Sequence, residues 1–392
     1  MKITGIETFV LSYRYDTAIA DAQNYFSTRN AVLLRIATDE GLVGIGEAAC
    51  FGGPPSTTTH MIEHELAPML IGRDPTNIER LWRMMFDRTR QHGRGGVVMC
   101  AMSGVDIALW DILGKKAGLP LYKLLGGYAD KLVPYASSGF YTGENDIQAL
   151  GEAMDGYFRQ GFRYAKMKVG RDPDEFQSPL SHLVDGDKYN HSHERDLERV
   201  AACCRVAEKY GAKIMVDANC SWNTYTAIRM GRELEKMGVF WLEEPLALDN
   251  VDGSAEVCAA LALPVAGYET ETGKFRFREY IDKQAVDIVQ PDAIWSGGIT
   301  ECRKIAHYAE AHCLPVMPHA FSSAVSLAAN AHLLASLGNG GILEMDRNVY
   351  PLRTDLLTES LDIAPDGFVH LPQGPGLGIE LRDDTVEKYR VG

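Results

Sequence analysis

The stretch Gly238–Asn250 reads GVFWLEEPLALDN. In it, the apolar and aromatic run Val239–Leu242 leads directly into two carboxylates, Glu243 and Glu244. Such a run is typical of a buried β-strand. Two carboxylates at the end of a buried strand are unfavourable unless they are paired or bind a cation. Several other apolar runs also end in an ionisable residue, so the pattern extends well beyond this stretch.

The composition is that of an ordinary globular protein. The 392 residues are 46% hydrophobic and 23% charged, and this length suits two domains or one large barrel with an added lobe. The formal net charge of −14 argues against nucleic acid or an anionic membrane as a partner. An acidic substrate would need a local cation in its binding site.

The sequence predicts a cytoplasmic protein. Its first residues, MKITGIETFVLSY, lack the apolar core and the cleavage site of a signal peptide. No apolar run approaches the ~18 residues that span a bilayer. None of the eight cysteines forms a Cys-x-x-Cys pair, which favours reduced thiols over a disulfide framework.

The chain divides into three predicted parts. Residues 1–127 form an α+β capping domain, with a hairpin around an Asp-Glu-Gly turn and a helix that ends at Gly118. Residues 128–350 form a (β/α)8 TIM-like barrel, so the fold class is α/β. Residues 351–392 are expected to pack back on the capping domain. Because no Gly-x-Gly-x-x-Gly follows a strand, a dinucleotide-binding sheet is disfavoured.

Eight short apolar runs that alternate with amphipathic stretches carry the barrel prediction. They are LVPYAS, YAKMKV, KIMVDAN, VFWLEEP, LPVAGYE, AVDIVQPD, LPVMPHA and GGILEM. Six consecutive runs end in an ionisable residue, spaced 23 to 27 residues apart, namely Asp217, Glu243, Glu269, Asp292, His319 and Glu344. The second run carries Lys166 and Lys168, which alternate to the same side of a strand. Since the carboxyl ends of barrel strands meet at one mouth, these groups should face one cavity.

Three of the carboxylates, Asp217, Glu243 and Glu269, make a site of hard oxygen ligands. Such a site suits Mg²⁺ and is a poor match for Zn²⁺. Glu244 would brace Glu243 from behind. Glu271 is a rival third ligand, but Glu269 keeps the regular step between strands. Each carboxylate taken alone is more simply a helix N-cap, and only the repeated spacing favours a shared site.

Lys168 and His319 are candidate bases beside this cation. Asp292 lies one strand before His319 and can orient its imidazole. Burial and the neighbouring Lys166 predict a lowered pKa for Lys168. Two bases next to a divalent cation suit removal of a proton beside a carboxylate, because the metal neutralises the enolate that forms. Taken alone, the lysines are a solvated strand face and His319 is a core histidine.

With these residues assembled, the chain resembles the enolase superfamily and, within it, the mandelate racemase subgroup. The resemblance covers nearly the whole length and includes the motifs KMK, VDAN, WLEEP, GYE, QPDAIWSGG, MPHAF and LEM. It implies a Mg²⁺ ion bound by Asp217, Glu243 and Glu269. Many members of this subgroup dehydrate acid sugars, aldonates or aldarates, and fewer racemise or epimerise their substrates.

The resemblance also implies roles for the remaining residues. Lys168 would be one acid/base, and His319 paired with Asp292 the other. Glu344 would donate to the carboxylate of the enolate, and Lys166 would help to polarise it. Residues 17–28 and 50–59 read as mobile loops of the first domain, and the corresponding loops of the family cover the barrel mouth and choose the substrate. The candidate substrate contacts here are Asn219, Tyr25, Arg29 and His60.

One segment departs from the family pattern. Residues 171–195 form a long polar insertion after the second barrel strand, which could be a lid or a subunit contact. Its His191 and His193 resemble a metal pair, although a solvated loop is the preferred interpretation. The helices of barrels commonly support symmetric assemblies, so a homo-oligomer is expected.

The sequence therefore predicts a Mg²⁺-dependent dehydratase of an acid sugar that forms a 2-keto-3-deoxy acid. A racemase or epimerase of a 2-hydroxy acid would need the same two bases and remains an alternative. A barrel without catalytic activity that serves as a binding protein is a distant third, because no ligand or base is missing.

Overall fold

The computed structural model describes residues 1–142, 147–171 and 192–391. An antiparallel sheet with its helices covers one end of a barrel of parallel strands, in an α/β fold. The division into residues 1–127, 128–350 and 351–392 stays a prediction. Most of the polar insertion, residues 172–191, lies outside the described residues, and so does its His191.

Both ends of the chain contribute to the capping sheet. In the described residues its strand order is Arg390–Val391, Ile3–Ala20, Tyr25–Thr38 and Val43–Ala48. Val391 lies opposite Val10, so the C-terminal segment pairs with the first strand. The helices of this part are Pro55–His60, the π-helix Met61–Leu66, Ala67–Leu70, Ile78–Thr89, Val97–Ala117 and Leu121–Leu124.

The helix Val97–Ala117 packs directly on the capping sheet. A side chain at Gly46 would place its Cβ 2.1 Å from the carbonyl oxygen of Gly104, so this close approach requires glycine. By length and composition this helix could cross a membrane, and the expectation that no apolar segment approaches this length is wrong. However, 83% of its most apolar window is buried inside the fold, as is normal for a core helix.

The parallel sheet closes into the predicted barrel. Its strand order in the described residues is Ile288–Val289, Val265–Gly267, Leu242–Glu243, Lys213–Asp217, Tyr164–Lys168, Pro134–Ser137 and Leu343–Asp346. Between the two outer strands, Val316 bridges Val289 on one side and Gly340 on the other. The Val316 N–H donates to the Asn339 carbonyl, and its carbonyl accepts from the Gly341 N–H, both at 2.9 Å. The TIM-like barrel is thus confirmed.

Helices connect the barrel strands on the outside. They are Ile147–Arg159, His193–Glu208, Thr224–Lys236, Val251–Ala260, Gly273–Asp282, Gly298–Ala311 and Ala324–Leu334. Directly after the last barrel strand, the described chain forms the short helix Pro351–Thr354 in place of a full eighth barrel helix. It then turns back through Val369–His370, which pairs with Lys131–Leu132, and the helix Asp383–Tyr389.

Residues 17–28 do not form the mobile loop that the sequence suggested. The first two strands continue to Ala20 and from Tyr25, which leaves Asp21–Asn24 as a tight turn. The carboxylate of Asp21 accepts hydrogen bonds from the backbone N–H of Gln23 at 2.8 Å and of Asn24 at 2.6 Å. An aspartate that bonds its own turn in this way is a common turn former. The second expected loop, residues 50–59, enters the helix Pro55–His60.

His332 joins the barrel to the segments that pack on it. Its Nδ1 accepts the Tyr122 N–H at 3.1 Å, and its Nε2 lies 2.9 Å from the Leu377 carbonyl oxygen. Nδ1 can accept only if the ring is neutral, so Nε2 is the donor to Leu377. Burial lowers the pKa of His332 to about 4, although the bond to Leu377 opposes this shift. The folded protein therefore holds this imidazole neutral.

We expect His332 to make the fold sensitive to acid. Its pKa is lower in the folded than in the unfolded chain, so stability is lost as the pH falls from about 6.5 towards 4. Between pH 7 and pH 4 this residue should remove about 3 kcal/mol of unfolding free energy. His332→Gln should lose that part of the pH dependence in urea titrations, whereas His307→Gln, on an exposed helix face, should keep it. Equal pH dependence in the two variants would contradict the assignment.

Candidate active site

The barrel strands carry the predicted site residues to one mouth. Lys168, Asp217 and Glu243 lie next to one another in the parallel register, each at the end of its strand. A cavity of about 430 Å³ opens between this mouth and the capping domain. Its lining includes Lys168, Glu269, His319 and Glu344. The spacing of one βα unit therefore brings these residues together in space.

Asp217, Glu243 and Glu269 form a compact cluster of carboxylates. One oxygen from each lies within 4.8 Å of the others, and this is the one group of three or more potential ligands among the described residues. Oε2 of Glu269 is buried and accepts no hydrogen bond in the described chain, although His319 Nε2 lies 3.3 Å away. Burial raises the pKa of Glu243 to about 8, and the nearby Asp217 adds to the rise while Lys166 opposes it. A divalent cation would relieve this repulsion, so the residues fit a Mg²⁺ site.

The ligand candidate Glu243 is held by neighbouring donors. Its Oε2 accepts from Trp241 Nε1 and from Gln290 Nε2, both at 3.0 Å. Glu244 does not brace it as expected, because its Oε1 accepts the backbone N–H of Glu269 at 3.0 Å. Glu244 thus positions the strand end that presents Glu269. The rival ligand Glu271 points away to an ion pair with Arg276, at 2.6 Å.

His319 lies in a chain of buried hydrogen bonds. Its Nδ1 is 2.8 Å from Oδ2 of Asp292, whose Oδ1 accepts from Asn330 Nδ2 at 2.9 Å. Its Nε2 faces Oε2 of Glu269 at 3.3 Å. Burial lowers the pKa of His319, but Glu269, Glu344 and Asp292 outweigh burial and raise it to about 10. Asp292 therefore fixes the ring, and the imidazole is held as a cation.

The pKa of Lys168 differs from the sequence prediction. Burial and Lys166 do lower it, as expected, but the carboxylates of Asp217 and Glu269 raise it above its ordinary value. Lys168 Nζ donates a hydrogen bond to Oδ2 of Asp217. The prediction of a lowered pKa for Lys168 is therefore wrong, because it counted the second lysine and omitted the neighbouring carboxylates.

Glu344, which lines the cavity, forms a second charged pair with the buried Lys166. Lys166 Nζ lies 3.0 Å from Oε1 of Glu344, donates to Glu243 and lies 3.8 Å from Asp217. Burial would raise the pKa of Glu344, but Lys166 and His319 lower it well below its ordinary range. A donor role of Glu344 requires its protonated form, so this role stays a prediction. Its Oε2 accepts the Ala320 N–H at 3.0 Å.

Of the four candidate substrate contacts, the structure brings only Asn219 to the cavity. Tyr25 and His60 are absent from its described lining and lie in a capping strand and a capping helix. Arg29 is buried and binds Asp346 at 2.6 Å, so it cannot reach a substrate. His193, expected in a solvated loop, is buried at the start of a helix and contacts Arg229 at 2.9 Å.

Sequence reasoning missed several residues of the site. The described lining of the cavity also includes Asp21, Gln23, Phe26, Phe51, Phe140, Trp295 and Phe321. Gln290 could have been found, because it directly follows the short strand Ile288–Val289 and so lies at a strand end, as the predicted site residues do. Asn330 and the aromatic residues carry no such signal, since their place depends on how distant segments pack.

The chain matches two models of known families. Residues 6–126 match the N-terminal domain of the mandelate racemase / muconate lactonizing enzyme family. Residues 149–385 match the enolase C-terminal domain-like family. The chain belongs to the enolase superfamily, in its mandelate racemase group. Together the two matches cover both the capping part and the barrel, so the membership extends over nearly the whole protein.

Individual members of the superfamily resemble the chain over most of its length. It is 38% identical to arabinonate dehydratase of Saccharolobus solfataricus, over 92% of this chain and 90% of the relative. It is 34% identical to D-galactarolactone cycloisomerase of Agrobacterium fabrum, over 100% of this chain and 99% of the relative. A solved racemase of Streptomyces coelicolor A3(2) with bound magnesium superposes with a TM-score of 0.86 at 28% identity, over 99% of this chain and 100% of the racemase chain. The chain is therefore an enzyme of this superfamily.

Proposed function

We propose that the protein is a Mg²⁺-dependent dehydratase of an acid sugar. The observation that carries the proposal is the cluster of three carboxylates, of which Glu269 lines the cavity beside Lys168 and the His319 of the His319–Asp292 pair. A relative of similar length is named arabinonate dehydratase, which supports dehydration over other reactions of the superfamily. The product would be a 2-keto-3-deoxy acid.

Asp217, Glu243 and Glu269 would hold the cation. Bound there, Mg²⁺ would supply positive charge that neutralises the substrate carboxylate and lowers the pKa of neighbouring acids. The remaining steps belong to the side chains. Lys168 and His319 come from the second and seventh strand positions, and both line the cavity. The carboxylates that raise the pKa of both groups would be neutralised by a bound cation, so that one of the two can lose its proton and then accept the α proton. The configuration of the substrate decides which.

His319 is the acid best placed to complete the elimination. The α C–H bond breaks, a C=C bond forms, and the C–O bond to the β-hydroxyl breaks as the imidazolium donates its proton, releasing water. Asp292 holds Nδ1, so Nε2 is the nitrogen that faces the cavity and carries the transferred proton. The enol that results tautomerises to the keto acid.

The charges of the cavity favour a substrate with one carboxylate. Lys168 and His319 are the cations in its described lining, and both belong to the reacting end. The described lining also carries Asp249 and Asp21, which is close enough to Lys168 to raise its pKa, so the second carboxylate of an aldarate would meet like charge. One unfavourable contact of about 1.4 kcal/mol gives a tenfold loss. We therefore propose an aldonate.

A library of aldonates and aldarates, assayed with Mg²⁺ by the semicarbazide absorbance of the 2-keto acid, tests this proposal. We expect an aldonate as the strongest hit, with kcat/KM at least about tenfold above that for the aldarate of the same configuration. Asp21→Asn keeps an oxygen that can accept the Gln23 N–H in the turn but removes the negative charge. It should therefore reduce the ratio of kcat/KM for the aldonate to kcat/KM for the aldarate. A preferred aldarate would contradict the choice of an aldonate, and no keto acid from any member would contradict dehydration.

The same two bases support racemisation or epimerisation as a second candidate. Proton return to the opposite face needs no further residue, and one solved structure similar to this chain is named a racemase. Exchange of the α proton in ²H₂O without formation of keto acid would favour this reaction. A binding protein without activity would show neither exchange nor elimination.

The homo-oligomer stays a prediction, to be measured by light scattering.

A further inference from the structure

The carboxylate of Glu47 in the capping sheet binds the segment that follows His319. Glu47 is fully buried at the end of the strand Val43–Ala48. Its two oxygens accept hydrogen bonds from the hydroxyls of Ser322 and Ser323, from the Ser323 N–H at 3.2 Å and from the Ser326 N–H at 2.8 Å. Four donors thus converge on one carboxylate from a different part of the chain.

These donors lie at the start of the helix Ala324–Leu334. The first N–H groups of a helix have no partner within it, and a negative charge near them is favourable. Glu47 supplies both a hydrogen-bond acceptor and a negative charge from outside the barrel. Ser323 completes the arrangement, because its hydroxyl also accepts the Val325 N–H at 3.1 Å. The helix that begins just after His319 is therefore anchored to the capping sheet.

Arg29 anchors the same segment from the neighbouring strand. Its Nη2 donates to the carbonyl of Phe321 at 3.2 Å, and its Nη1 binds Asp346 at 2.6 Å. Its guanidinium also lies between two rings, 3.7 Å from the centre of Phe321 and 3.9 Å from that of Tyr350. Arg29 is 1% exposed, so these contacts account for its place in the fold.

We propose that Glu47 and Arg29 are positioning residues that hold the His319 segment, residues 319–326, in its working geometry. The inference rests on the proposed function of His319 and adds that its position depends on two buried charges of the capping sheet. Phe321, which Arg29 contacts, also lines the cavity two residues after His319. Docking of the capping sheet therefore completes the barrel mouth.

Neither residue lines the cavity, so their effect should appear in turnover and not in substrate binding. Glu47→Gln replaces one acceptor oxygen by an NH₂ group that faces N–H and O–H donors. Arg29→Lys replaces the planar guanidinium, which donates from several nitrogens, by a single ammonium nitrogen. Displacement of a catalytic group by about 1 Å can reduce the rate about 100-fold. We expect each variant to lower kcat by about 10- to 100-fold with KM nearly unchanged.

The test compares hydrogen–deuterium exchange and steady-state kinetics of the full-length protein. Peptides that cover residues 319–326 should exchange faster in Glu47→Gln and Arg29→Lys than in the wild type. Asp111→Asn is the matched control: Asp111 is a buried carboxylate outside the described cavity lining that accepts the Ile45 N–H at 2.9 Å and the Leu377 N–H at 2.8 Å. It should leave both the exchange of residues 319–326 and kcat at wild-type values.

Several outcomes would overturn the inference. Wild-type exchange of residues 319–326 in both variants would show that the two charges do not hold the segment. Faster exchange with unchanged kcat on the best aldonate would show that catalysis does not need it. If Glu47→Gln does not fold, Ser322→Ala removes one of the four donors and should give a smaller change in the same direction. If the wild type converts no acid sugar, the proposed function fails, while the exchange comparison still decides whether the segment is held.

Discussion

We expect Lys168→Ala and His319→Asn each to lower the rate of acid-sugar dehydration by about 10²- to 10⁴-fold. General acid–base groups contribute factors of this size, and each variant removes one of the two groups that line the cavity beside the carboxylate cluster. The measurement is kcat on the best aldonate at saturating Mg²⁺. Both variants should retain the melting temperature shift that Mg²⁺ produces, because neither changes a proposed ligand.

The two variants should differ in exchange of the α proton with ²H₂O. The variant that lacks the base loses both exchange and dehydration, whereas the variant that lacks only the acid keeps exchange. Lys213→Ala is a matched control, since Lys213 is an exposed lysine at the opposite end of a barrel strand. Dehydration at the wild-type rate in Lys168→Ala and His319→Asn would refute the proposed roles.

We expect Glu269→Gln to remove both the stabilisation of the protein by Mg²⁺ and the activity. Binding at 100 times the dissociation constant stabilises a folded protein by about 2.7 kcal/mol, which thermal melts with Mg²⁺ and with EDTA can measure. Glu269 is the proposed ligand whose buried Oε2 accepts no hydrogen bond in the described chain, so this oxygen is free to bind a cation. The amide of Glu269→Gln carries no negative charge and should therefore bind the cation poorly.

Glu271→Gln is the control for this experiment. Glu271 lies two residues later in the sequence, but its carboxylate pairs with Arg276 at 2.6 Å. It should keep both activity and the Mg²⁺-dependent rise in melting temperature. The assignment of the third ligand would be wrong if Mg²⁺ still stabilised Glu269→Gln and no longer stabilised Glu271→Gln.

The positions of the site residues along the barrel follow from the sequence alone. Because one βα unit takes about 25 residues and all parallel strands end at the same mouth, residues such as Asp217 and Glu243 must meet if each ends a strand. The choice of Glu269 over Glu271 also came from this spacing, and the structure places Glu269 in the cluster. The fold class followed from the same alternation of short apolar runs and amphipathic stretches.

Only the tertiary structure decided what surrounds each charge. The pKa of Lys168 depends on carboxylates from other strands, which outweigh the repulsion from Lys166 that the sequence revealed. Arg29 was a candidate substrate contact because it adjoins residues 17–28, which correspond to a loop over the barrel mouth in the family, yet its side chain turns inward to Asp346. The anchoring of the His319 segment by Glu47 joins residues 275 positions apart in the sequence. Spacing along the chain determines which strand ends meet, whereas burial, charge pairing and hydrogen bonds depend on distances through space that only packing sets.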